Sequence, residues 1–248
     1  MGLVQDASSP ATSISVQSVQ GNTCPSFDPP DNPLFLSMWA ADAQPGSGVA
    51  TPTAASTPSQ TWTRDGYDYR DTGTPTVDGQ AGIWSASAVG PVSSTTITIT
   101  NQAPSGFRDA AQRVMVFTGH DPSNPIGATK GNRQNSGSSI SDSITATVTG
   151  SWGFMVLCDW NQGDPTGWTE GAGQEIIEKG LTFGTSYAFI QRTSPDGVNS
   201  TTIDFSITGL PTGGQYHWVI VEVLPDLTAV DFISVSTDVM LEPGQALF

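Results

Sequence analysis

His120 and Asp121 stand side by side where the apolar run "VMVFTGHDPSNPIGATKG" (114–131) breaks off, and a His beside an Asp invites an acid–base reading. A catalytic histidine needs an orienting carboxylate and a nucleophile or substrate within hydrogen-bonding reach. Neighbours at a strand end point their side chains apart, so Asp121 is a poor orienter for His120. No Gly-x-Ser-x-Gly elbow accompanies them, and neither cysteine lies in a recognisable nucleophile setting. Asp121-Pro122 therefore reads as the start of a turn, with the carboxylate bonding turn amides. The other histidine, His217 in "QYHWVIVEV", reads as a strand residue with a satisfied ring.

Oxygen donors cluster in "CDWNQGDPTGW", where Asp159, Asn161 and Asp164 have a loose calcium-like spacing. The full loop pattern, closed by a Glu at the twelfth position, is missing, and two isolated histidines without a Cys-x-x-Cys make no zinc set. No metal or other cofactor is expected. Glu222, on the otherwise apolar "WVIVEVL", and Asp159 are acids in unusual places, and a glycosidase would need two such groups facing across one cleft. Both lie near strand ends, where emergence into solvent is ordinary, so no catalytic residue is assigned.

Aromatic rings give the remaining chemistry. "TWTRDGYDYRD" places Trp62, Tyr67 and Tyr69 near Arg64 and Arg70, and a later loop holds Trp160 and Trp168. Exposed rings stacked on sugar faces would make Trp62, Tyr67, Tyr69, Trp160 and Trp168 candidate glycan contacts. The plainer reading puts these rings in the core or under loops, where most Trp area goes.

The elements that must position these groups are short strands. In 248 residues only 12% are charged, and the formal net charge is −15 with eight Lys and Arg. That deficit argues against nucleic acid, whose phosphates require a basic patch, and against docking on anionic lipid. No stretch is long and apolar enough for a membrane span, and "MGLVQDASSPATSISVQSVQG" lacks the basic and apolar regions of a signal peptide. Its Met-Gly start is only a weak myristoylation motif. Cys24 and Cys158 are far apart, and Cys158 reads as a buried free thiol, a disulfide being the lesser alternative.

Period-two alternation marks several strands. Ile97 and Ile99 oppose a row of threonines, as do Ile144, Ala146 and Val148, while Ile203, Phe205 and Ile207 oppose Asp204, Ser206 and Thr208. "RVMVFTG", "GFMVLCDW" and "HWVIVEVL" are apolar on both faces and should be central. Pro-, Gly-, Asp- and Ser-rich turns separate the runs. "GQEIIEKG" is the one segment with helical spacing, and it is short enough to be a strand. The expected fold is all-β: an antiparallel, jelly-roll-like β-sandwich of two sheets over residues 34–225. Residues 1–33, rich in Pro and small polar side chains, read as an extended arm for attachment, and residues 226–248 as a C-terminal extension. No internal repeat is evident.

In order along the chain come "GQAGIWSASAVGP", "STTITITN", "VMVFTGHDPSNPIGA", "GSWGFMVLCDWNQG", "SYAFIQRTSPDG" and "YHWVIVEVLP". This succession resembles a β-sandwich module of minor tail proteins and related virion components of actinobacterial tailed phages. Phe117, Gly119 and Asp121, Pro125 to Ala128, Gly150 to Trp152, Asp159-Trp160, and Glu222 with Pro225 carry the resemblance. It implies a non-enzymatic structural protein of the virion, assembled in the host cytoplasm, most simply a minor tail protein at the tail tip. Capsid decoration and a carbohydrate-binding module engaging the host envelope are the alternatives. Its partners would be other virion proteins, further copies of itself in a homo-oligomer, and a host surface glycan. Docking would use the terminal segments, so deleting the arm is expected to leave a folded sandwich that fails to join particles.

Overall fold

Among the described residues, the alternating and doubly apolar runs pair into seventeen antiparallel strands. The structure is a computed structural model describing residues 2–19, 21–43, 52–69, 79–100, 107–161, 163–192 and 202–228. In the first half run β1 (Val4–Gln5), β2 (Ser13–Val19), β3 (Gly21–Thr23), β4 (Leu34–Ala43), β5 (Thr53–Thr57), β6 (Thr63–Tyr69), β7 (Gly79–Ser87), β8 (Thr96–Thr100) and β9 (Phe107–Thr118). In the second run β10 (Ile126–Gln134), β11 (Ser139–Thr145), β12 (Trp152–Asp159), β13 (Thr169–Glu170), β14 (Glu175–Leu181), β15 (Ser186–Arg192), β16 (Thr202–Thr208) and β17 (Tyr216–Val223). A 3-10 turn covers Pro165–Gly167. Among the described residues, no helix is long and apolar enough to cross a membrane.

The two halves have one topology. The first half forms a large sheet ordered β2-β9-β4-β7-β6, with β1 extending the β2 edge, and a small sheet β3-β8-β5. The second forms a large sheet β10-β17-β12-β15-β14 and a small sheet β11-β16-β13. Counted from β2 and from β10, the eight strands take the same places in both. This is jelly-roll order, except that the fifth strand (β6, β14) pairs with the sixth on the large sheet and not with the fourth on the small one.

The sheets stack in four layers: small, large, large, small. Leu36, Met38, Ile83, Met115 and Phe117 of the first large sheet meet Phe154, Val156, Phe189, Val219 and Val221 of the second in one shared core. The outer face of the second large sheet packs Leu157, Ile190 and Ile220 on Ile140, Phe205 and Ile207. Phe35, Val114 and Trp39 do the same toward Ile97 and Ile99 in the first half. The large sheets are thus covered on both faces, which is why β9, β12 and β17 are apolar throughout, and the Thr-rich strands are the half-wet outer layers. The expected two-sheet sandwich is in fact a pair of sandwiches sharing their large faces.

One further expectation needs correction. The segment 1–33 is not an arm: β1 and β2 pair with β9, β3 pairs with β8, and Leu3, Cys24 and Phe27 are buried. Ile14 is 50% exposed, so backbone pairing, not a buried alternating face, holds β2 in place. The segment with helical spacing is strand over Glu175–Leu181, paired with β15, as its shortness allowed. Of the C-terminal extension, residues 226–228 are described and 229–248 lie outside the described residues. The two cysteines are free and sit in different layers, Cys24 against the first small sheet and Cys158 between the large ones.

Candidate functional site

Strand β6 gathers the aromatic residues because its phase changes midway. Thr63 and Arg64 pair with Ser85 and Trp84, but Gly66 pairs with Ile83, leaving Asp65 as the extra residue of a β-bulge. A bulge resets which face each later side chain takes. Trp62 and Arg64, at even positions, therefore share a face with Tyr67 and Tyr69, at odd ones. Without the bulge the two tyrosines would point into the core between the large sheets, where Gly66 and Asp68 now lie.

On that face Trp62 stacks on Phe35 with ring centroids 6.3 Å apart and donates Nε1–H to Ser56 Oγ at 3.1 Å. The Arg64 guanidinium lies 5.5 Å from the Tyr67 ring centre, within cation–π range. Tyr67 and Tyr69 stack at 5.2 Å, and Tyr69 is 39% exposed. Arg133 of β10, from the other sandwich, donates to the Tyr69 carbonyl at 3.0 Å. Burial pushes the Tyr67 hydroxyl above the usual phenol range, and that hydroxyl has no partner among the described residues.

The bulge is expensive. Burial raises the Asp65 carboxyl to about 6 against the lowering effect of its hydrogen bonds with Ser85, and its second oxygen lacks a partner. An unpaired buried oxygen of this kind costs about 1–3 kcal/mol. A costly irregularity that re-aims side chains is what a binding face leaves behind.

Two of the five candidate rings are elsewhere. Trp168 is 1% exposed and belongs to the core of the second sandwich. Trp160 is half-buried, lying over Gly79. They are removed from the glycan-contact set because their loop folds back over the sheet ends. Arg70 lies outside the described residues.

The acids and histidines are absorbed by the backbone. Asp121 Oδ1 accepts from Ser123 and Asn124 N–H at 2.8 and 3.0 Å. His120 is buried in a bridge to Pro225, and burial lowers its pKa against the pull of Asp121 and Asp226. Asp159 takes N–H donors from Asn161, Gly163 and Gln215 at 3.0–3.2 Å, while burial keeps its carboxyl above the ordinary value. Asp164 caps the 3-10 turn through Thr166 N–H, and the Asn161 amide donates to the Gly213 carbonyl. Among the described residues, no three His, Cys, Asp or Glu side chains come together to hold a metal. Glu222 is buried and accepts from Ala128 N–H, Thr147 N–H and Thr147 Oγ1 at 2.8–2.9 Å. On β12 it faces Gly153 whereas Asp159 ends the strand, about 20 Å apart at 3.3 Å per residue. A glycosidase pair sits within about 10 Å, so these two acids do not work together.

A polar seam lies at one end of the shared core. Asp109 accepts from the hydroxyls of Thr182 and Thr185 and from Gly184 N–H, in the β14–β15 turn of the other sandwich. Its cross-strand neighbour Asp42 is buried beside it. His217 Nδ1 meets Asp68 Oδ2 at 2.5 Å, and Cys158 lies between, its thiol driven well above the usual range by burial and then by Asp159, Asp42 and Asp109. The Asp109 and Asp68 contacts join the two sandwiches, so the seam serves their registration.

Trp84, Asp65 and Arg133 were missed as members of the β6 face. Trp84 looked like one more residue of an apolar strand, and Arg133 lies in "GATKGNRQ", whose polar edge strand carries no alternation. For Asp65 there was a signal: rings at even and odd positions of one short strand, interrupted by Gly66. Comparison with family models, curated proteins and solved structures finds no match to this chain.

Proposed function

We propose that this chain is a non-enzymatic structural component of a tailed bacteriophage particle, a minor tail protein at the tail tip. The observation that carries the reading is the role of the residues in which the resemblance resides. Gly119 (φ 71°) and Gly150 (φ 83°) hold left-handed turns, Asp121 and Asp159 accept loop amides, and Glu222 fastens the start of β10 and the loop at Thr147 to the end of β17. These are framework duties, suited to a module kept for its shape and assembled with neighbours. Contact with other virion proteins, and with further copies of itself, is assigned to the exposed surface and to the residues beyond Pro225, since residues 2–33 are engaged within the fold. Capsid decoration is the variant that differs only in position on the particle.

Immunogold electron microscopy of purified particles, with antibody raised against the native chain, tests this. Gold at the distal tail is expected. Gold on the head moves the protein to capsid decoration, and particles without label sink the virion reading.

A further inference from the structure

The two sandwiches have the same topology but finish one edge differently. In each, the fifth strand (β6, β14) has left the small sheet, so no backbone pairing closes the gap between β5 and β6 or between β13 and β14. In the second sandwich that gap is plugged. Trp168 fills it from the core side, and Lys179 Nζ binds the Thr166 and Trp168 carbonyls. Gln174 bonds Ser206 N–H through its side-chain oxygen, and Gly171 N–H bonds the Ser206 carbonyl. Among the described residues, the gap of the first sandwich is open. It forms a groove of about 320 Å³ lined by Pro52, Thr53, Ala54, Trp62, Arg64 and Trp84. A second hollow of about 370 Å³, lined by Tyr67, Asp68, Tyr69 and Arg133, continues along β6. Arg64 joins the two, lining the first and lying over Tyr67 of the second.

Charge says what belongs there. Six of the eight basic residues have described side chains, the exceptions being Arg70 and Arg108. Arg113, Lys130 and Arg192 pair with Glu178, Asp142 and Asp204, and Lys179 is held by carbonyls. Among the described residues, Arg64, Arg133 and Lys179 have no carboxylate partner, and the two arginines lie on this groove. In a chain of net charge −15, two unneutralised guanidinia on one face mark an anionic ligand.

The rings say what carries the charge. Trp62 is immobilised by Phe35 on one face and by Ser56 at its nitrogen, so its other face is a fixed platform. Tyr69 offers a second exposed platform, backed by Tyr67. Rings and guanidinia make up most of the lining, with Pro52, Thr53 and Ala54 on the β5 wall and Asp68 in the second hollow. Flat platforms suit a ring with an apolar face and a polar rim. From Trp62 to Tyr69 the strip runs about 20 Å at 3.3 Å per residue, long enough for several linked rings.

We infer that the open β5–β6 edge of the first sandwich binds an acidic oligosaccharide. Its sugar faces stack on Trp62 and Tyr69, and its carboxylates pair with Arg64 and Arg133. This inference does not rest on a place in the virion, and either can fail without the other.

The test is binding of the full chain to an array of neutral and uronate-bearing oligosaccharides, with a poly-glutamate peptide included. Uronate-bearing members should bind, with at least tenfold loss in Arg64→Gln and in Trp62→Ala and progressive weakening with salt. Arg64 is exposed, so Arg64→Gln should keep the wild-type melting temperature, and Lys179→Gln on the plugged edge should bind as wild type. Absence of saccharide binding, or binding indifferent to both groove substitutions, overturns the inference. Equal binding of neutral members overturns the acidic class, and binding of poly-glutamate alone overturns the saccharide.

Discussion

At the scale of single residues, Asp65 is the most informative side chain. It is the inserted residue of the bulge, and its carboxyl titrates at about 6 in the folded protein because burial disfavours the anion. The folded state then binds the proton more tightly than the unfolded chain. Its contribution to stability is complete below the usual carboxylate value near 4 and is lost as pH rises through about 6. Asp65→Asn keeps the Ser85 contact and removes the buried charge, so it should stabilise the protein at pH 7 by up to about 3 kcal/mol and change little at pH 4. Thermal melts from pH 4 to 8 would show the two proteins diverging with rising pH, and parallel curves would sink this account. The residues of the face were half legible in advance. Trp62, Tyr67 and Tyr69 were identifiable by type, but Trp160 and Trp168 came with them because ring type says nothing about which loop folds inward.

At the scale of elements, strands legible from sequence were those whose burial has a period. Ile97 and Ile99, and Ile203, Phe205 and Ile207, are buried as their alternation requires. Polar edge strands escaped: β2 has an exposed Ile14, and β10 is polar over most of its length. Such strands are fixed by ladder hydrogen bonds to a neighbour distant in sequence, which leaves no local pattern. The N-terminal segment shows the consequence. Deleting residues 2–33 removes three strands, strips the edge of β9 and takes Leu3, Cys24 and Phe27 from the core. We expect the truncated chain to lose cooperative unfolding in denaturant and to become largely insoluble. A soluble product with a wild-type urea midpoint would show that β1–β3 are dispensable.

At the scale of the whole molecule, the shared core between the large sheets decides behaviour. Its side chains come from both halves, and each large residue buried there contributes about 1.5–3 kcal/mol. The second half alone, residues 119–228, would present Phe154, Val156, Phe189, Val219 and Val221 as a bare apolar face. It should aggregate or dimerise through that face, whereas the intact chain melts in one transition. Calorimetry of the intact chain and light scattering of the half check both statements, and two resolved transitions with a monomeric half would refute them. The pairing of sandwiches was not legible because equivalent strands share only inward-outward alternation, a pattern common to any sandwich.

That shared core also bears on how such a protein can change over generations. The link between the halves is short, and Gly119, His120 and Asp121 are tied by backbone bonds and a bridge to Leu224, Pro225 and Asp226 at the far end of the second sandwich. A genetic exchange with its crossover at this link would graft one half onto a stranger whose large face does not interlock with it. Crossovers outside both halves would carry a finished surface intact. Inheritance should therefore treat the pair as one unit, and the open β5–β6 edge, which lies away from the shared core, as the part free to diverge.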